Sequence, residues 1–386
     1  MPYRTYNQAE DSFPDVDDKQ EAVAAEVRDT GAIPTLWDVI LVDEAQDFGP
    51  EFLNMCREAL TSQNRLIWAY DEAQDLGSLE APSPKNIFGT DENGEPLLNL
   101  SGTYKNGPQK THIMRKSYRA PRSVLMTAHA LGMGLKRDDG PVQTITRQDG
   151  WENLGYQING DFRKIGSKAV LTRPSENSPH PLQGTLNPET LLTHRSFASK
   201  ADELDWIAEQ IRTDIFEEGL EPEQVLVIPL SRQRRQGERN HDHVWEALST
   251  NPEDSGIDVN AVWDADTTVF SQSGEVTLSG INRAKGNEAA AVYVTGVEAA
   301  TEETWRAEEL HRRNELFVGL TRSRAWCSIT GVTPTAPIHS EIEAVLAEIQ
   351  QPEPQISFEV SDSRELENEL ETDTEELEST VLDDFL

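Results

Sequence analysis

The chain is poor in cysteine, in lysine and in long apolar runs, and each shortage excludes a class of protein. Two cysteines among 386 residues cannot build a disulfide framework or a four-cysteine zinc site. No apolar run reaches the roughly 18 residues that a membrane-spanning helix needs. The first residues also lack the basic and apolar segments of a secretory signal. We therefore expect a cytoplasmic protein without a membrane partner.

Positive charge is scarce as well. Lys and Arg number 34 against 69 Asp and Glu, so the formal net charge is −35. A surface rich in carboxylates and poor in lysine is typical of proteins that work in concentrated salt. At about 1 M salt the Debye length is only about 3 Å, and self-repulsion is screened. We expect a halophilic protein; an acidic regulatory protein in ordinary salt is the alternative.

Both ends of the chain differ in composition from the middle. Residues 351–386 contain 13 acidic residues and one arginine, which favours a solvated, disordered segment. We predict an acidic tail over residues 346–386. Residues 1–35 are polar and rich in turn residues, apart from a short helical stretch near Glu21–Val27. We predict that they form a lead-in rather than a domain.

The middle of the chain alternates short apolar runs with helical patterns. Asp38–Val42 and Arg65–Ala69 each end in acidic residues, as expected of strands buried on both faces of a parallel sheet. Further strands are predicted at 168–172, 225–228, 291–295 and 326–330, and helices at 51–60, 121–135, 204–215 and 308–320. With 36% apolar residues, the chain can bury a core. The alternation predicts an α/β fold of two domains, 36–112 and 113–345.

The strongest chemical feature is the run Asp43-Glu44-Ala45-Gln46-Asp47, which follows the first predicted strand. Ligands of parallel α/β sheets gather at the carboxyl ends of the strands. An aspartate there can hold Mg²⁺, and an adjacent glutamate can accept a proton from an attacking water. We predict a nucleotide-hydrolysing site in which Asp43 binds Mg²⁺ and Glu44 is the base, touching the ion through water.

This run resembles motif II, VDEAQD, of superfamily 1 DNA helicases of the UvrD/Rep type. The resemblance continues in order along the chain: residues 69–74 (AYDEAQ) resemble motif III, 117–120 (SYRA) motif IV, 276–288 (VTLSGINRAKGNE) motif V and 316–322 (LFVGLTR) motif VI. The chain is most similar to the DEAD/DEAH helicases that are often joined to nuclease-related domains. The resemblance implies two RecA-like parallel-sheet lobes, of which the first is incomplete.

The resemblance implies nucleotide contacts for three residues outside motif II. Gln74 would sense the γ-phosphate, and Arg119 would contact phosphate from the second lobe. Arg322 would be the arginine finger, because a guanidinium stays charged and can fork onto phosphate oxygens. An arginine at the end of a helix can instead simply complement the helix dipole.

Motif V carries the remaining implied contacts. Lys285, Gly286 and Glu288 match its KGLE, in which the glutamate lies near the nucleotide ribose. The DNA backbone contacts would fall on Thr277, Ser279 and Asn282. In this motif Gly280, Asn282 and Asn287 replace the usual Thr, His and Leu, which weakens the inference for DNA more than for the nucleotide.

Two family features have no counterpart. Leu76 and Gly77 stand where motif III usually has an aromatic residue, whose stacking on a base is worth roughly 1–3 kcal/mol. No phosphate-binding loop, GxxxxGKS or GxxxxGKT, occurs in the 42 residues before Asp43. Without the N–H groups and lysine of that loop, the β- and γ-phosphates lose their main cradle. We expect the chain alone to bind ATP poorly. It would be either a truncated gene product or half of a split enzyme whose N-terminal partner chain carries a P-loop.

Together these features predict the C-terminal portion of an ATP-dependent DNA helicase or translocase that uses ATP and Mg²⁺. It would act on single-stranded or duplex DNA, and the resemblance implies movement from 3′ to 5′. The alternative is a non-catalytic, helicase-like module that docks or regulates a partner. The basic run Arg232–Arg239 is interpreted as a solvent loop rather than a DNA contact, and His241 and His243 as solvated rather than metal-binding.

Overall fold

The chain divides into two compact units, Met1–Ile113 and Met114–Leu386. The computed structural model describes residues 8–9, 12–13, 16, 18–31, 33–62, 65–70, 84–105, 107–230, 257–262, 269–301 and 306–361. Gln74, the run Arg232–Arg239 and the two histidines 241 and 243 lie outside these residues. Among the described residues, no helix combines the length and the apolar character needed to cross a membrane.

The first unit is built on a two-stranded parallel sheet. Strand β1 (Ile40–Val42) pairs with β2 (Leu66–Trp68), with Ile40 opposite Leu66. Its helices are α1 (Lys19–Asp29), α2 (Pro50–Glu58) and α3 (Pro84–Phe88). The buried core of the unit is Val42, Ala45, Leu53, Leu60, Leu66, Ile87 and Phe88. Both predicted strands and the predicted helix near residues 51–60 are confirmed, with slightly shorter bounds.

Helix α1 is tied to α2 by side-chain contacts. The carboxylate of Glu21 accepts hydrogen bonds from the backbone N–H groups of Glu51 (2.7 Å) and Phe52 (3.1 Å), so it caps the N-terminus of α2. Arg28 pairs with Glu51 and with Glu58. The segment predicted as a polar lead-in therefore contains a helix that packs within the first unit. Its partners lie about thirty residues further along, so no local pattern indicates them.

The second unit contains the remaining described strands and helices. The strands are β3 (Gln157–Asn159), β4 (Lys168–Thr172), β5 (Leu192–Phe197), β6 (Val225–Pro229), β7 (Asp258–Val262), β8 (Glu275–Ser279), β9 (Ala289–Thr295), β10 (Ser323–Val332) and β11 (Gln355–Glu359). The helices are α4 (Arg122–Met133), α5 (Gln148–Asn153), α6 (Pro188–Leu191), α7 (Lys200–Arg212), α8 (Ile281–Ala284), α9 (Arg306–Leu320) and α10 (Pro337–Ile349).

A parallel sheet with the strand order β5-β10-β9-β6-β8-β7 forms the centre of this unit. All five of its strand pairings are parallel. The structure thus confirms a mixed α/β fold with a six-stranded parallel sheet in the described part of the chain.

Helices cover this sheet on both faces. The apolar face of α7, with Leu204 and Ile207, packs against Val227 of β6 and Tyr293 of β9. On the opposite face, α9 approaches β9 so closely that a Cβ at Gly319 would lie 3.4 Å from a methyl group of Val294. Double cover explains why the strands are almost continuous apolar runs.

The acidic C-terminal segment begins with ordered structure. Strand β11 pairs antiparallel with β4, which also pairs with β3, so the three form a second sheet. Ile356, Phe358 and Val360 of this segment are buried. The prediction of a disordered tail was therefore wrong for residues 351–360, because three apolar residues at alternate positions outweigh the acidic average. Residues 362–386 lie outside the described part.

Candidate functional site

The acidic run of motif II lies at the carboxyl end of β1 in the first unit. Backbone hydrogen bonds tie it to the neighbouring strand, since Ala45 N donates to Ala69 O at 2.8 Å and Ala69 N donates to Val42 O at 2.8 Å. The side chain of Asp43 is exposed and that of Glu44 is half-buried. Sheet pairing thus fixes the position of this turn.

Glu44 has a left-handed backbone conformation, with φ 51° and ψ 46°. This region costs a residue with a Cβ about 1–2 kcal/mol. Local bonds offset part of that cost: the Glu44 N–H donates to Asp43 Oδ1 at 3.0 Å, and the Gln46 amide donates to the Glu44 carboxylate. Strained conformations of this kind concentrate at functional sites.

Two carboxylates at one strand end fit the chemistry of Mg²⁺, which is usually bound by one or two carboxylates with water and phosphate completing its shell. Within the described residues, no group of three or more His, Cys, Asp or Glu side chains is arranged to hold a metal ion. Asp43 and Glu44 fit the carboxylate part of such a Mg²⁺ shell.

In the second unit, the motif IV and motif V residues meet. Arg119 Nε donates to Glu288 Oε2 at 2.7 Å, although the two residues are 169 positions apart in the chain. Arg324 Nε lies 3.5 Å from the other oxygen, Oε1, of the same carboxylate. One glutamate therefore holds two arginines, and all three side chains remain substantially exposed.

The sheet and its flanking segments bring these residues together. Glu288 immediately precedes β9, and Arg324 is the second residue of β10, whose first residue pairs with Ala289. Arg119 lies just before α4, and its segment is held by the bond from Ser117 N to Asn177 O at 3.0 Å. Arg119, Glu288 and Arg324 therefore lie together at the amino-terminal ends of strands β9 and β10.

Arg322, the predicted arginine finger, is only 1% exposed. Its Nε donates to the Val318 carbonyl at 3.0 Å, and its Nη2 contacts Thr321 Oγ1 at 3.3 Å. The guanidinium therefore contacts the C-terminal end of its own helix, α9, where carbonyl groups lack helical partners. This placement agrees with the alternative interpretation, and the finger role of Arg322 stays a prediction.

The motif V residues divide into buried and exposed sets. Thr277 and Ser279 are buried in β8, with hydroxyls that donate to the Phe270 carbonyl (3.3 Å) and the Gly280 carbonyl (3.0 Å). Both side chains are buried, and their DNA contacts stay predictions. Of the three predicted DNA contacts, only Asn282 is exposed.

The two motif V residues next to Glu288 are accessible. Lys285 is half-buried and Gly286 is exposed. Gly286 has φ +81°, which a residue with a Cβ rarely adopts. A glycine here lets the chain turn between α8 and β9.

Sequence reasoning missed Arg173, a buried hub beside the motif IV segment. Its guanidinium donates to Ser178 Oγ (2.7 Å), Arg115 O (2.9 Å) and Asn177 O (2.8 Å), and it lies over the ring of Tyr156. Burial lowers the pKa of Arg173, and the nearby Tyr156 raises it in part. Because it binds the Arg115 carbonyl, Arg173 fixes the segment that carries Arg119. An isolated arginine at a strand end gives no sequence signal of this role.

Comparison with known proteins gives one family match. Residues 275–330, which run from β8 into β10, match the model of the UvrD-like helicase C-terminal domain. A solved structure that matches is the C-terminal domain of a possible DNA helicase from Lactobacillus plantarum WCFS1. It shares 17% identity over 39% of this chain and 80% of that chain, with a TM-score of 0.29. No curated protein matches significantly. Residues 275–330 are thus similar to the C-terminal domain of UvrD-like helicases.

Proposed function

We propose that this chain is the C-terminal portion of an ATP-dependent superfamily 1 DNA helicase or translocase with RecA-like lobes. The observation that carries the proposal is the 2.7 Å bond between Arg119 and Glu288. Glu288 belongs to the segment that matches the family, whereas Arg119 lies far outside it. Contact between residues assigned separately to motifs IV and V is expected if both serve one ligand.

In this proposal ATP and Mg²⁺ are the cofactors. Asp43 would bind Mg²⁺ and Glu44 would contact the ion through water; the ion would neutralise charge on the transferred phosphate. Glu44 would also accept a proton from the attacking water. Gln74 would sense the γ-phosphate, while Arg119 and Arg322 would bind phosphate oxygens.

Residues 1–42 contain no phosphate-binding loop of the GxxxxGKS or GxxxxGKT pattern. We propose that a partner chain with a P-loop supplies it. The exposed apolar side chains of the first-unit sheet, among them Leu41 and Ile67, support this proposal. A parallel sheet normally has both faces covered.

The test is ATP hydrolysis stimulated by single-stranded DNA. We expect turnover only when the full chain is mixed with a polypeptide that carries a phosphate-binding loop and the opening strands of the first lobe. Glu44→Gln should abolish turnover, since it removes the base. Glu92→Gln, an exposed glutamate of the same unit, is the matched control and should leave turnover unchanged. A mixture that hydrolyses ATP equally well with Glu44→Gln would contradict the proposal.

Direction is a separate part of the proposal. We propose movement from 3′ to 5′ along one strand, as the family resemblance implies. Strand displacement by the active mixture should occur on duplexes with a 3′ single-stranded tail and not on those with a 5′ tail. The opposite preference would overturn this part alone.

The composition supports a halophilic, cytoplasmic setting. A net charge of −35 repels itself in dilute buffer and is screened in concentrated salt. We propose that the protein works in concentrated salt, so the mixture should keep its ATPase activity there.

A non-catalytic docking or regulatory module is the second candidate. It is favoured by the same apolar face, which such a module would use to bind its partner. A stable complex between the chain and a partner, with no ATPase activity and no effect of Glu44→Gln, would favour this function.

A further inference from the structure

Two arginines contact Glu288, and the helicase motifs account for only one of them. Arg119 is the motif IV residue, but Arg324 lies two residues beyond the last residue of motif VI and has no assigned role. The structure buries Arg322 against its own helix end and leaves Arg324 60% exposed beside Glu288. Arg324 therefore lies beside Glu288 together with Arg119.

The bonds to Glu288 position the arginines without locking them. Ion pairs between side chains that remain substantially exposed contribute only about 0–1 kcal/mol. A guanidinium gains more from a phosphate, because its fork of N–H donors matches two phosphate oxygens. A ligand with several phosphate charges can therefore displace the single carboxylate.

The local charge also favours an anion. Residues 113–124 contain four basic residues and no acidic residue, although the whole chain carries −35. Residues 320–330 likewise contain two arginines and no acidic residue. Phosphate attracted to this positive region would reach Arg119 and Arg324 together, at the amino-terminal ends of β9 and β10.

We propose that Arg119 and Arg324 form a two-arginine site for the phosphate oxygens of a nucleoside polyphosphate. Glu288 keeps the two guanidinium groups together when the site is empty and competes with the phosphate when it binds. This inference rests on the proposed function for the identity of the phosphate, and it adds Arg324 to the residues that bind the nucleotide. DNA is the other source of the same phosphate chemistry.

The experiment measures binding of inorganic tripolyphosphate to the full chain by titration calorimetry at fixed salt. Arg119→Gln and Arg324→Gln should each weaken binding about tenfold or more, the effect expected for loss of one charged hydrogen-bonding group. Arg324→Lys should restore part of the affinity, since lysine keeps the charge without the fork. Arg163→Gln is the matched control, because Arg163 is 96% exposed and lies 3.5 Å from Asp161; it should bind like wild type.

Glu288→Gln tests the competing role of the carboxylate. Removal of a negative charge beside the phosphate should tighten tripolyphosphate binding by about threefold to tenfold. Weaker binding by this variant would overturn the competition. Circular dichroism checks that each variant is folded; if Arg324→Gln is not, Arg324→Lys against Arg163→Lys decides.

Two outcomes would overturn the site. If Arg324→Gln binds tripolyphosphate as wild type does while Arg119→Gln binds weakly, Arg324 has no part in it. If both variants lose a single-stranded thymidine oligonucleotide but keep tripolyphosphate, the phosphate belongs to DNA and the nucleotide assignment is wrong. Failure of the proposed function is distinguishable, because it abolishes ATP hydrolysis by the mixture and leaves arginine-dependent tripolyphosphate binding intact.

Discussion

The two units contain parallel strands of similarly apolar composition, but the side chains of these strands are buried to very different extents. In β1 and β2 of the first unit, Leu41 is 73% exposed and Ile67 is 59% exposed, while Val42 and Leu66 are buried. In β6 of the second unit, every residue is buried. Both sheets have the apolar sequence of strands that are covered on two faces. The sequence of β1 and β2 therefore suits a larger sheet than the described residues of the first unit provide.

The comparison extends to charged side chains. Arg313 in the second unit is fully buried; its Nε donates to Glu309 (2.7 Å) and its Nη2 to Glu341 (2.7 Å). Arg28 in the first unit makes a similar pair of contacts, with Glu51 and Glu58, at the surface. An arginine paired with two glutamates thus occurs once in the buried interior of the second unit and once in contact with solvent in the first.

The largest effect is expected from the buried arginine. Arg313→Met takes a cationic partner away from two buried carboxylates, Glu309 and Glu341. Glu309 nevertheless keeps its contact with Arg137 at 3.1 Å. The change should lower the free energy of unfolding by about 3–5 kcal/mol. Arg28→Met, its surface counterpart, should cost about 0–1 kcal/mol. Urea unfolding followed by circular dichroism measures both values. Equal losses would remove the contrast between the units.

A matched pair of leucines tests the cover of the strands directly. Leu226→Ala in β6 creates a cavity in a fully packed layer and should cost about 2–5 kcal/mol. Leu41→Ala in β1 removes an exposed side chain and should change the free energy of unfolding by about 0.5 kcal/mol or less. Addition of the partner that we propose for the first unit should raise the cost of Leu41→Ala. A cost for Leu41→Ala in the isolated chain that equals the cost for Leu226→Ala would show that the face is already covered.

The smallest of these effects depends on pH and belongs to the second unit. His129 is buried against Tyr156, and burial together with the Arg173 cation lowers its pKa from 6.5 to about 3. Below pH 6.5 the unfolded chain binds a proton at this residue and the folded unit does not. The stability from this group is therefore present above pH 6.5 and is lost as the pH falls toward 3.

Between about pH 7 and pH 5, this loss should amount to about 2 kcal/mol. His129→Gln should lack it, so the difference in unfolding free energy between wild type and variant should shrink by about that amount over the interval. Urea titrations at the two pH values measure it. The histidine of the first unit, His112, is exposed, so His112→Gln is the control for replacing a histidine that is not buried. A pH dependence in His129→Gln equal to that of wild type would contradict the assignment.

Sequence patterns predicted the strands that are apolar and missed those that bury polar groups. The strand at 168–172 was predicted with the observed bounds. Strands β7 and β8 escaped prediction because they contain Asn260, Thr277 and Ser279, which are buried with internal hydrogen bonds. A polar residue can be buried when it donates a hydrogen bond to a carbonyl group elsewhere in the chain. Hydrophobic periodicity does not detect such a residue.

The candidate site shows the same limit at the level of single residues. The motifs indicated Arg119 and Glu288 separately, and only the fold shows that they touch. Arg324 and Arg173 belong to no motif. Their partners are not at a fixed distance along the sequence, so no pattern of residues indicates the contacts. Ion pairs between distant segments follow from tertiary packing, so sequence reasoning gives the residue types of the site but not its contacts.

The pairing of β4 with β11 has a consequence for synthesis of the protein. The ribosome releases the chain from its N-terminus, so β3 and β4 emerge long before the last described strand that completes their sheet. Until then, one edge of β4 presents unpaired N–H and C=O groups that another nascent chain could bind. Strand β11 therefore completes this sheet late in synthesis. A chain that ends before Gln355 would keep an open edge on β4 that favours aggregation.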